Sequence, residues 1–136
     1  MIYYIGYQQL TVETLEETLR THNITFLIDV RSVPYSRKPQ FNRKKLEQQF
    51  SLDAYIWKGD ILGGKFGLVL ETGIDFLRQL DKEGRQVVLM CLENNPRDCH
   101  RYQDIGIRLL KYGIDVIHIH DGIEETTSQI VKEKLS

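Results

Sequence analysis

Continuous apolar runs alternate along the chain with segments whose apolar residues recur every three to four positions. The runs ITFLI and VVLMC fit strands that are covered on both faces of a sheet. The segments TVETLEETLRTH, LVLETGIDFLRQLDKEG and RYQDIGIRLLKYG place their apolar residues on one helical face. This alternation predicts a single-domain α/β fold in three layers, with a mostly parallel sheet and helices on both faces.

Shorter patterns complete the predicted order of elements. MIYYI, AYIWK and IDVIHI are predicted as strands, and RKKLEQQF as a helix with Asn42 as its N-cap. Thr11 is expected to cap the first helix, and the spacing of a capping box occurs at Thr14 and Glu17. GDILGGKFG is predicted as a glycine-rich loop.

The length of 136 residues suits one domain with its own core, so we assign residues 1–122 to an α/β domain and residues 123–136 to a helical tail on the same domain. A formal net charge of -1 gives no global signature of nucleic-acid or membrane binding. No apolar run reaches the roughly 20 residues of a membrane span, and the N-terminus lacks a signal-peptide pattern. The chain is therefore predicted to be cytoplasmic, without a membrane partner, and its two cysteines to be free thiols.

Candidate chemistry gathers where two predicted strands end. In open parallel sheets, ligands bind beyond the carboxyl ends of the strands. Asp29, Arg31 and Ser32 follow the first of these strands, while Cys91 closes the second and Glu93 comes just after it. We therefore expect these side chains to face one cleft.

The segment PRDCHR adds three residues at the start of the next helix. It brings Cys99, His100 and Arg101 to the helix N-terminus, where backbone N–H groups favour anions. The first hypothesis is a cytoplasmic protein whose cleft binds an anionic small molecule, a nucleotide or a nucleic-acid component, and acts on it. In this hypothesis Arg31 and Arg101 hold negative charge, and His100 transfers a proton.

The remaining roles fall to the carboxylates and thiols. Asp29 or Glu93 orients His100, Cys91 is the candidate nucleophile, and Cys99 could resolve an oxidised Cys91. Each residue also has a structural alternative: packing for the cysteines, hydrogen bonds for the histidine, and ion pairs for the arginines. For Asp29 the alternative is a loop anchor that accepts backbone N–H bonds.

Two motif matches are weighed and not adopted. Cys91 and Arg97 have the C-x5-R spacing of cysteine phosphatases, but Glu93 lies where the anion would bind and Pro96 offers no N–H. The second match is a set of residues of the types that bind zinc: Cys91, Glu93, Cys99 and His100. Their spacing follows no standard zinc pattern, so no metal or other cofactor is predicted.

A basic and aromatic loop supports a second hypothesis. The segment RSVPYSRKPQFNRKK offers Tyr35 and Phe41 for stacking and several cations for phosphates. The protein would then be a nucleic-acid or protein-binding module in which the polar cluster is structural. The predicted nucleic-acid contacts are Arg37, Lys38, Arg43 and Lys44.

Several segments, taken in order, resemble the family of the domain of unknown function DUF488. They are YIG, LIDVRSVPYSR with PQFN, LGG and MCLENNPRDCHR. The resemblance implies an α/β fold and no established reaction, and typical members carry a histidine where this chain has Tyr7. FLIDVRS is also similar to a strand of rhodanese-like domains. The DUF488 signature positions correspond to Asp29, Arg31, Ser32, Phe41, Gly63, Gly64, Cys91, Glu93, Cys99, His100 and Arg101. The residues of the glycine pair, Gly63 and Gly64, form either a turn or a place where the backbone approaches a ligand closely.

Overall fold

The computed structural model describes residues 1–51, 54–64 and 69–135. Strands β1 to β5 run parallel, and β6 pairs antiparallel with β5. The described strands are β1 (Ile2–Gly6), β2 (Phe26–Asp29), β3 (Tyr55–Trp57), β4 (Val87–Cys91), β5 (Ile117–His120) and β6 (Ile123–Thr126). They form one sheet in the order β3-β2-β4-β1-β5-β6, so the predicted α/β fold with a mostly parallel sheet is confirmed.

Helices cover both faces of this sheet. The described helices are α1 (Val12–Thr21), α2 (Arg43–Gln49), α3 (Gly59–Leu62), α4 (Glu71–Lys82), α5 (His100–Leu110) and α6 (Thr127–Leu135). One buried cluster joins Leu15 of α1 and Leu46 of α2 to one face of the strands. The other joins residues of α3, α4, α5 and α6 to the opposite face. The sheet is therefore the middle of three layers, as predicted.

The helix starts show two departures from the expected capping. Thr11 caps α1 as predicted, but its capping box is completed by Thr14: the Thr14 N–H donates to Thr11 Oγ1 (3.1 Å) and the Thr11 N–H donates to Thr14 Oγ1 (2.9 Å). The helix therefore begins at the Thr11 cap and not one turn later, where the spacing of Thr14 and Glu17 offered an alternative start. Asn42 occupies the N-cap position of α2, but its side chain accepts a bond from the Ser36 N–H and holds the preceding loop.

Three segments differ from the sequence-based expectations. Part of the predicted glycine-rich loop is the short helix α3, and residues 65–67 of that loop lie outside the described residues, as does the first residue of the predicted helix at 68. Residues Ile123–Thr126, predicted as helical tail, form strand β6, and the helix starts only at Thr127. β6 is an exposed edge strand, so it lacks the apolar pattern that identifies buried strands.

Among the described residues, no helix is both long enough and apolar enough to cross a lipid bilayer.

Candidate functional site

The two groups of predicted site residues face opposite sides of the sheet. In the register of β2 and β4, Asp29 pairs with Met90, whose side chain belongs to the cluster under α1 and α2. Cys91 is one residue further along β4 and belongs to the other cluster. Successive side chains of a strand point to opposite faces. The prediction that all the candidate residues share one cleft is therefore wrong.

Asp29 and Arg31 form a buried ion pair. Arg31 Nε donates to Asp29 Oδ1 (2.8 Å) and Nη2 donates to Oδ2 (2.7 Å), in a bidentate arrangement. The Arg31 N–H also donates to Asp29 Oδ1 (3.1 Å), and the Tyr55 hydroxyl donates to Oδ2. Arg31 is 5% exposed and Asp29 is fully buried. This geometry fits the structural alternatives for both residues, and Asp29 lies on the face of the sheet opposite Cys91.

Tyr7, which directly follows β1, completes this network. Arg31 Nη1 donates to the Tyr7 hydroxyl (3.3 Å), and the Tyr7 ring stacks on Phe41 with ring centroids 4.6 Å apart. The Trp57 indole N–H donates to Arg31 O (2.8 Å). The hydrogen bonds and the ring stack join β1, β2, β3 and the loop before α2. The network thus fixes the loop that follows β2.

On the opposite face, the two thiols lie in contact. Cys91 Sγ, at the end of β4, is 3.6 Å from Cys99 Sγ, at the N-cap of α5. The Tyr102 N–H donates to Cys99 Sγ (3.3 Å), and the Tyr4 hydroxyl lies 3.6 Å from the same sulfur. A short 3-10 turn, Pro96–Asp98, brings the chain back so that Cys99 meets Cys91.

These surroundings make the two thiols unequal. The hydrogen bond from Cys91 lowers the pKa of Cys99, and the Tyr102 N–H and the Tyr4 hydroxyl act in the same direction, against its burial. Burial raises the pKa of Cys91 well above the usual range of a thiol, and the contact with Cys99 adds to that rise. The arrangement therefore favours Cys99 as the thiolate, whereas the sequence pointed to Cys91.

Glu93 joins the thiols as a third group. The Sγ atoms of Cys91 and Cys99 and a carboxylate oxygen of Glu93 all lie within 4.8 Å of one another. Gly6 allows this placement, because a Cβ atom at Gly6 would lie 1.8 Å from Glu93 O. Glu93 Oε2 is buried and has no hydrogen-bond partner in the described part of the chain.

A cleft of about 320 Å³ opens above these groups. Arg101 lies in its wall, and Arg101 Nε donates to Gly63 O (2.9 Å), which ties α5 to the end of α3. His100 is exposed at the start of α5. The residues around the cleft are Gly63, Gly64, Val69, Glu93, Asp98, Cys99, His100, Arg101 and Asp104.

Ser32 reaches the same region from the end of β2. A Cβ atom at Gly63 would lie 2.1 Å from Ser32 Oγ and 2.4 Å from Gly59 O. Gly63 is therefore required for close packing inside the protein. Ser32 Oγ is buried and has no hydrogen-bond partner among the described residues, so its hydroxyl remains available beside the cleft.

The model of the family described as the domain of unknown function DUF488 matches residues 11–72. This match supports membership of the DUF488 family. No curated protein matches the chain, and no solved structure matches it. The DUF488 match covers less than half of the chain and runs from the N-cap of α1 into the first turn of α4.

The DUF488 match divides the candidate residues in two. Asp29, Arg31, Ser32, Gly63 and Gly64 lie inside it. The other candidates lie beyond its end, in β4, in the loop after β4 and at the start of α5: Cys91, Glu93, Cys99, His100 and Arg101. The family resemblance of MCLENNPRDCHR thus stays a prediction from the sequence.

The sequence did not identify Tyr4, which contacts Cys99 Sγ, or three residues that line the cleft: Val69, Asp98 and Asp104. Tyr4 reads as an ordinary core residue, and only the pairing of β1 with β4 shows that its hydroxyl meets Cys99. Asp104 lies one helical turn after His100, a spacing that puts both on one face of α5 and could have identified it. No sequence signal marked Val69, whose N–H donates to Asp104 Oδ2 (3.2 Å).

The C-x5-R arrangement is not assembled. Arg97 Nη1 and Nη2 donate to Glu125 (2.9 and 2.8 Å), and Arg97 Nε donates to Glu133 (2.8 Å). The Arg97 side chain is thus held by β6 and α6 and does not clamp a ligand over Cys91.

The predicted nucleic-acid contacts, which lie inside the DUF488 match, fall into two classes. Lys38 Nζ donates to the carbonyls of Tyr7 and Gln8 (3.3 Å each) and of Leu10, and Arg43 pairs with Glu47 (2.6 Å). Arg37 and Lys44 are exposed. Of the two aromatic residues, Tyr35 is 73% exposed and Phe41 is buried.

Proposed function

We propose that the cleft between Gly63 and the start of α5 binds a small anionic ligand. The observation that carries this proposal is the position of Arg101. It is a half-buried cation in the cleft wall, and in the described part of the chain it forms no ion pair with a carboxylate. A buried charge is normally paired or bound to a counter-ion.

The guanidinium of Arg101 is oriented for a ligand. Its Nε is occupied by Gly63 O, so the side chain is fixed, and its two terminal nitrogens have no acceptor among the described residues. Two parallel N–H donors match the oxygens of a carboxylate or phosphate. Gly63 thus positions Arg101, and the terminal N–H groups of Arg101 bind the anion.

The start of α5 adds donors to the same place. The Tyr102 N–H is bound to Cys99 Sγ, but the N–H groups of His100 and Arg101 have no acceptor in the described ranges. The first N–H groups of a helix carry partial positive charge and favour anions. His100 is exposed and lines the cleft, and in this proposal it exchanges a proton with the bound ligand.

The cleft volume limits the ligand. About 320 Å³ lies near the lower end of the range for small-molecule sites, about 300–1,000 Å³. A phosphorylated or carboxylated small molecule, or a single nucleotide, fits this volume better than a nucleic-acid strand. Asp104 is already engaged by Val69 and Arg108, so it adds little repulsion.

The proposal is tested with inorganic phosphate and a nucleoside monophosphate as probes. Thermal unfolding is followed at increasing probe concentration, in buffer with a metal chelator and a reductant. At a hundred times the dissociation constant, a ligand that binds only the folded state stabilises it by about 2.7 kcal/mol. We expect the unfolding temperature of the parent to rise with at least one probe and that of Arg101→Met to stay constant.

Arg97→Met is the matched control, because Arg97 precedes α5 but is bound to Glu125 and Glu133, away from the cleft. It should respond to the probe like the parent, whatever its own stability. An Arg101→Met protein that responds as strongly as the parent would contradict the proposal. So would a parent that neither probe stabilises.

We also propose a cytoplasmic location. Both thiols are buried and free although their sulfurs are in contact, which suits a reducing compartment. Cell fractionation with an antibody to the chain tests this, and recovery in an oxidising compartment would contradict it.

A further inference from the structure

We infer that Cys91, Glu93 and Cys99 form a site for one zinc ion at the floor of the cleft. Their types fit zinc, a borderline-soft cation that binds thiolates and carboxylates. The sequence alone did not predict this site, because its spacing follows no standard zinc motif. What points to it is the approach of three ligand atoms from the end of β4, the loop after it and the start of α5.

The distance between the sulfurs matches two ligands of one ion. Zinc–sulfur bonds of about 2.3 Å at a tetrahedral angle separate the two sulfurs by about 3.8 Å. Cys91 Sγ and Cys99 Sγ are 3.6 Å apart. A zinc ion would therefore require only a small outward shift of the two sulfurs, while a disulfide of about 2.05 Å would require a much larger approach.

Glu93 supplies an independent observation. Its Oε2 atom is buried and has no hydrogen-bond partner among the described residues. A buried carboxylate oxygen without a partner is costly, and coordination to a cation removes that cost. The missing side chain of Gly6 lets the Glu93 backbone pack closely against the end of β1.

The surroundings also suit a thiolate–zinc centre. The Tyr102 N–H donates to Cys99 Sγ, and the Tyr4 hydroxyl lies beside it, as the outer hydrogen-bonding partners of metal ligands do. Arg101 interacts electrostatically with both thiols and with Glu93. Two thiolates, one carboxylate and one zinc ion sum to one negative charge, which Arg101 would balance.

Three protein ligands leave one coordination position open. Cys99 and Glu93 line the cleft, so that position faces it, as in zinc sites that bind water or substrate. The open position would take water or an oxygen of the anion held by Arg101. This last role rests on the proposed function, whereas the zinc site does not depend on it.

The test measures zinc binding to the reduced parent by competition with a chromophoric chelator, and follows cobalt substitution by absorption spectroscopy. We expect one zinc per chain and, with cobalt, a thiolate charge-transfer band with the d–d bands of a tetrahedral site. Cys91→Ser and Cys99→Ser should weaken zinc binding by more than about 100-fold, beyond the effect of losing an outer partner. Glu93→Gln, which keeps the side-chain size, should weaken it by at least about tenfold.

Asp98→Asn is the matched control, because Asp98 lines the same cleft outside the three-residue group and should leave zinc affinity unchanged. Since a serine variant could fail to fold, the Glu93→Gln result is decisive by itself. Equal zinc affinity of Glu93→Gln and the parent, or a cobalt spectrum without a thiolate band, would overturn the zinc site. Zinc titrations use phosphate-free buffer and phosphate titrations use chelator, so failure of the zinc site and failure of the anion site are seen separately.

Discussion

Asp29 and Cys91 close neighbouring parallel strands, yet their side chains lie on opposite faces of the sheet. The register of β2 and β4 pairs Asp29 with Met90, one residue before Cys91. That single position decides which candidate residues can act together. The Asp29–Arg31 pair belongs to the layer of α1 and α2, and the thiols belong to the layer of α3 to α6.

The buried ion pair of Asp29 and Arg31 should contribute to the free energy of unfolding. Asp29→Asn leaves Arg31 buried without its counter-charge, and breaking a buried ion pair costs about 3–5 kcal/mol. Tyr55→Phe removes one hydrogen bond to a charged group and should cost about 1.5–3 kcal/mol. Urea unfolding at pH 7 measures both changes in the free energy of unfolding.

Glu47→Gln is the control, since Glu47 pairs with Arg43 at the surface, where an ion pair contributes at most about 1 kcal/mol. Tyr55→Phe should also keep the response to phosphate, because its network lies on the other face of the sheet. An Asp29→Asn protein as stable as the parent would show that the pair is not the anchor of the loop.

The two thiols should react in a fixed order. In metal-free, reduced protein at pH 7, we expect iodoacetamide to label Cys99 first, because Cys99 lines the cleft and its pKa is lowered by the hydrogen bond from Cys91 and by the Tyr102 N–H. Cys91 should be labelled only on unfolding, because burial raises its pKa. Peptide mass spectrometry over time gives the order.

Tyr4→Phe sharpens this prediction. Loss of the hydroxyl beside Cys99 Sγ should move the pH dependence of Cys99 labelling to higher pH. Tyr102→Phe is the matched control, because the Tyr102 hydroxyl contacts Thr127 while its backbone N–H still reaches the sulfur. Labelling of Cys91 before Cys99 would reverse the assignment of the thiolate.

The nucleic-acid alternative is tested by the exposed cations of the loop. Lys38 is held by three carbonyls and Arg43 by Glu47, so among the predicted contacts Arg37 and Lys44 are the informative positions. We expect Arg37→Ala/Lys44→Ala to bind a single-stranded oligonucleotide as weakly as the parent at low salt, in line with a net charge of -1.

Fluorescence anisotropy at two salt concentrations measures this binding. Tight, salt-dependent binding by the parent that the double variant loses would favour the binding-module hypothesis. Lys38→Met serves as the comparison for a structural role, because Lys38 Nζ donates to three backbone carbonyls. Loss of these hydrogen bonds should lower the free energy of unfolding by about 1–3 kcal/mol, as expected for hydrogen bonds from a charged group.

The sequence predicts the layers of this fold better than the partners within its site. Apolar periodicity identified β2, β4, α1 and α5, because these elements are buried on regular faces. It could not identify β6, whose residues are largely exposed. Nor could it place Asp29 relative to Cys91, because a shift of one residue in register moves a strand's side chains to the other face.

The close approach of the Cys91, Glu93 and Cys99 side chains could not be predicted from the periodicity of the sequence, for a similar reason. It depends on the 3-10 turn Pro96–Asp98 and on the packing of Gly6 against the Glu93 backbone. Neither contact follows from residue spacing.

His118 should make the folded protein sensitive to acid. It is fully buried on β5 against the rings of Tyr4 and Tyr102, and neither ring nitrogen has a partner among the described residues. Burial lowers the pKa of His118 to about 3, and the nearby His120 acts in the same direction. The unfolded chain takes up a proton near pH 6.5 that the folded protein does not, so the free energy of unfolding falls as pH drops below about 6.5.

The slope from this one residue approaches about 1.4 kcal/mol per pH unit. The window from pH 6.5 to pH 5 isolates it from Glu125, whose pKa Arg97 and His120 lower to about 2, so that its contribution is lost only at lower pH. His118→Leu, a change of similar volume, should remove that part of the slope and, by deleting an unpartnered polar group, stabilise the protein at pH 7 by about 1 kcal/mol. Urea unfolding across the window measures the slope. An unchanged slope in His118→Leu would assign the acid sensitivity to other groups.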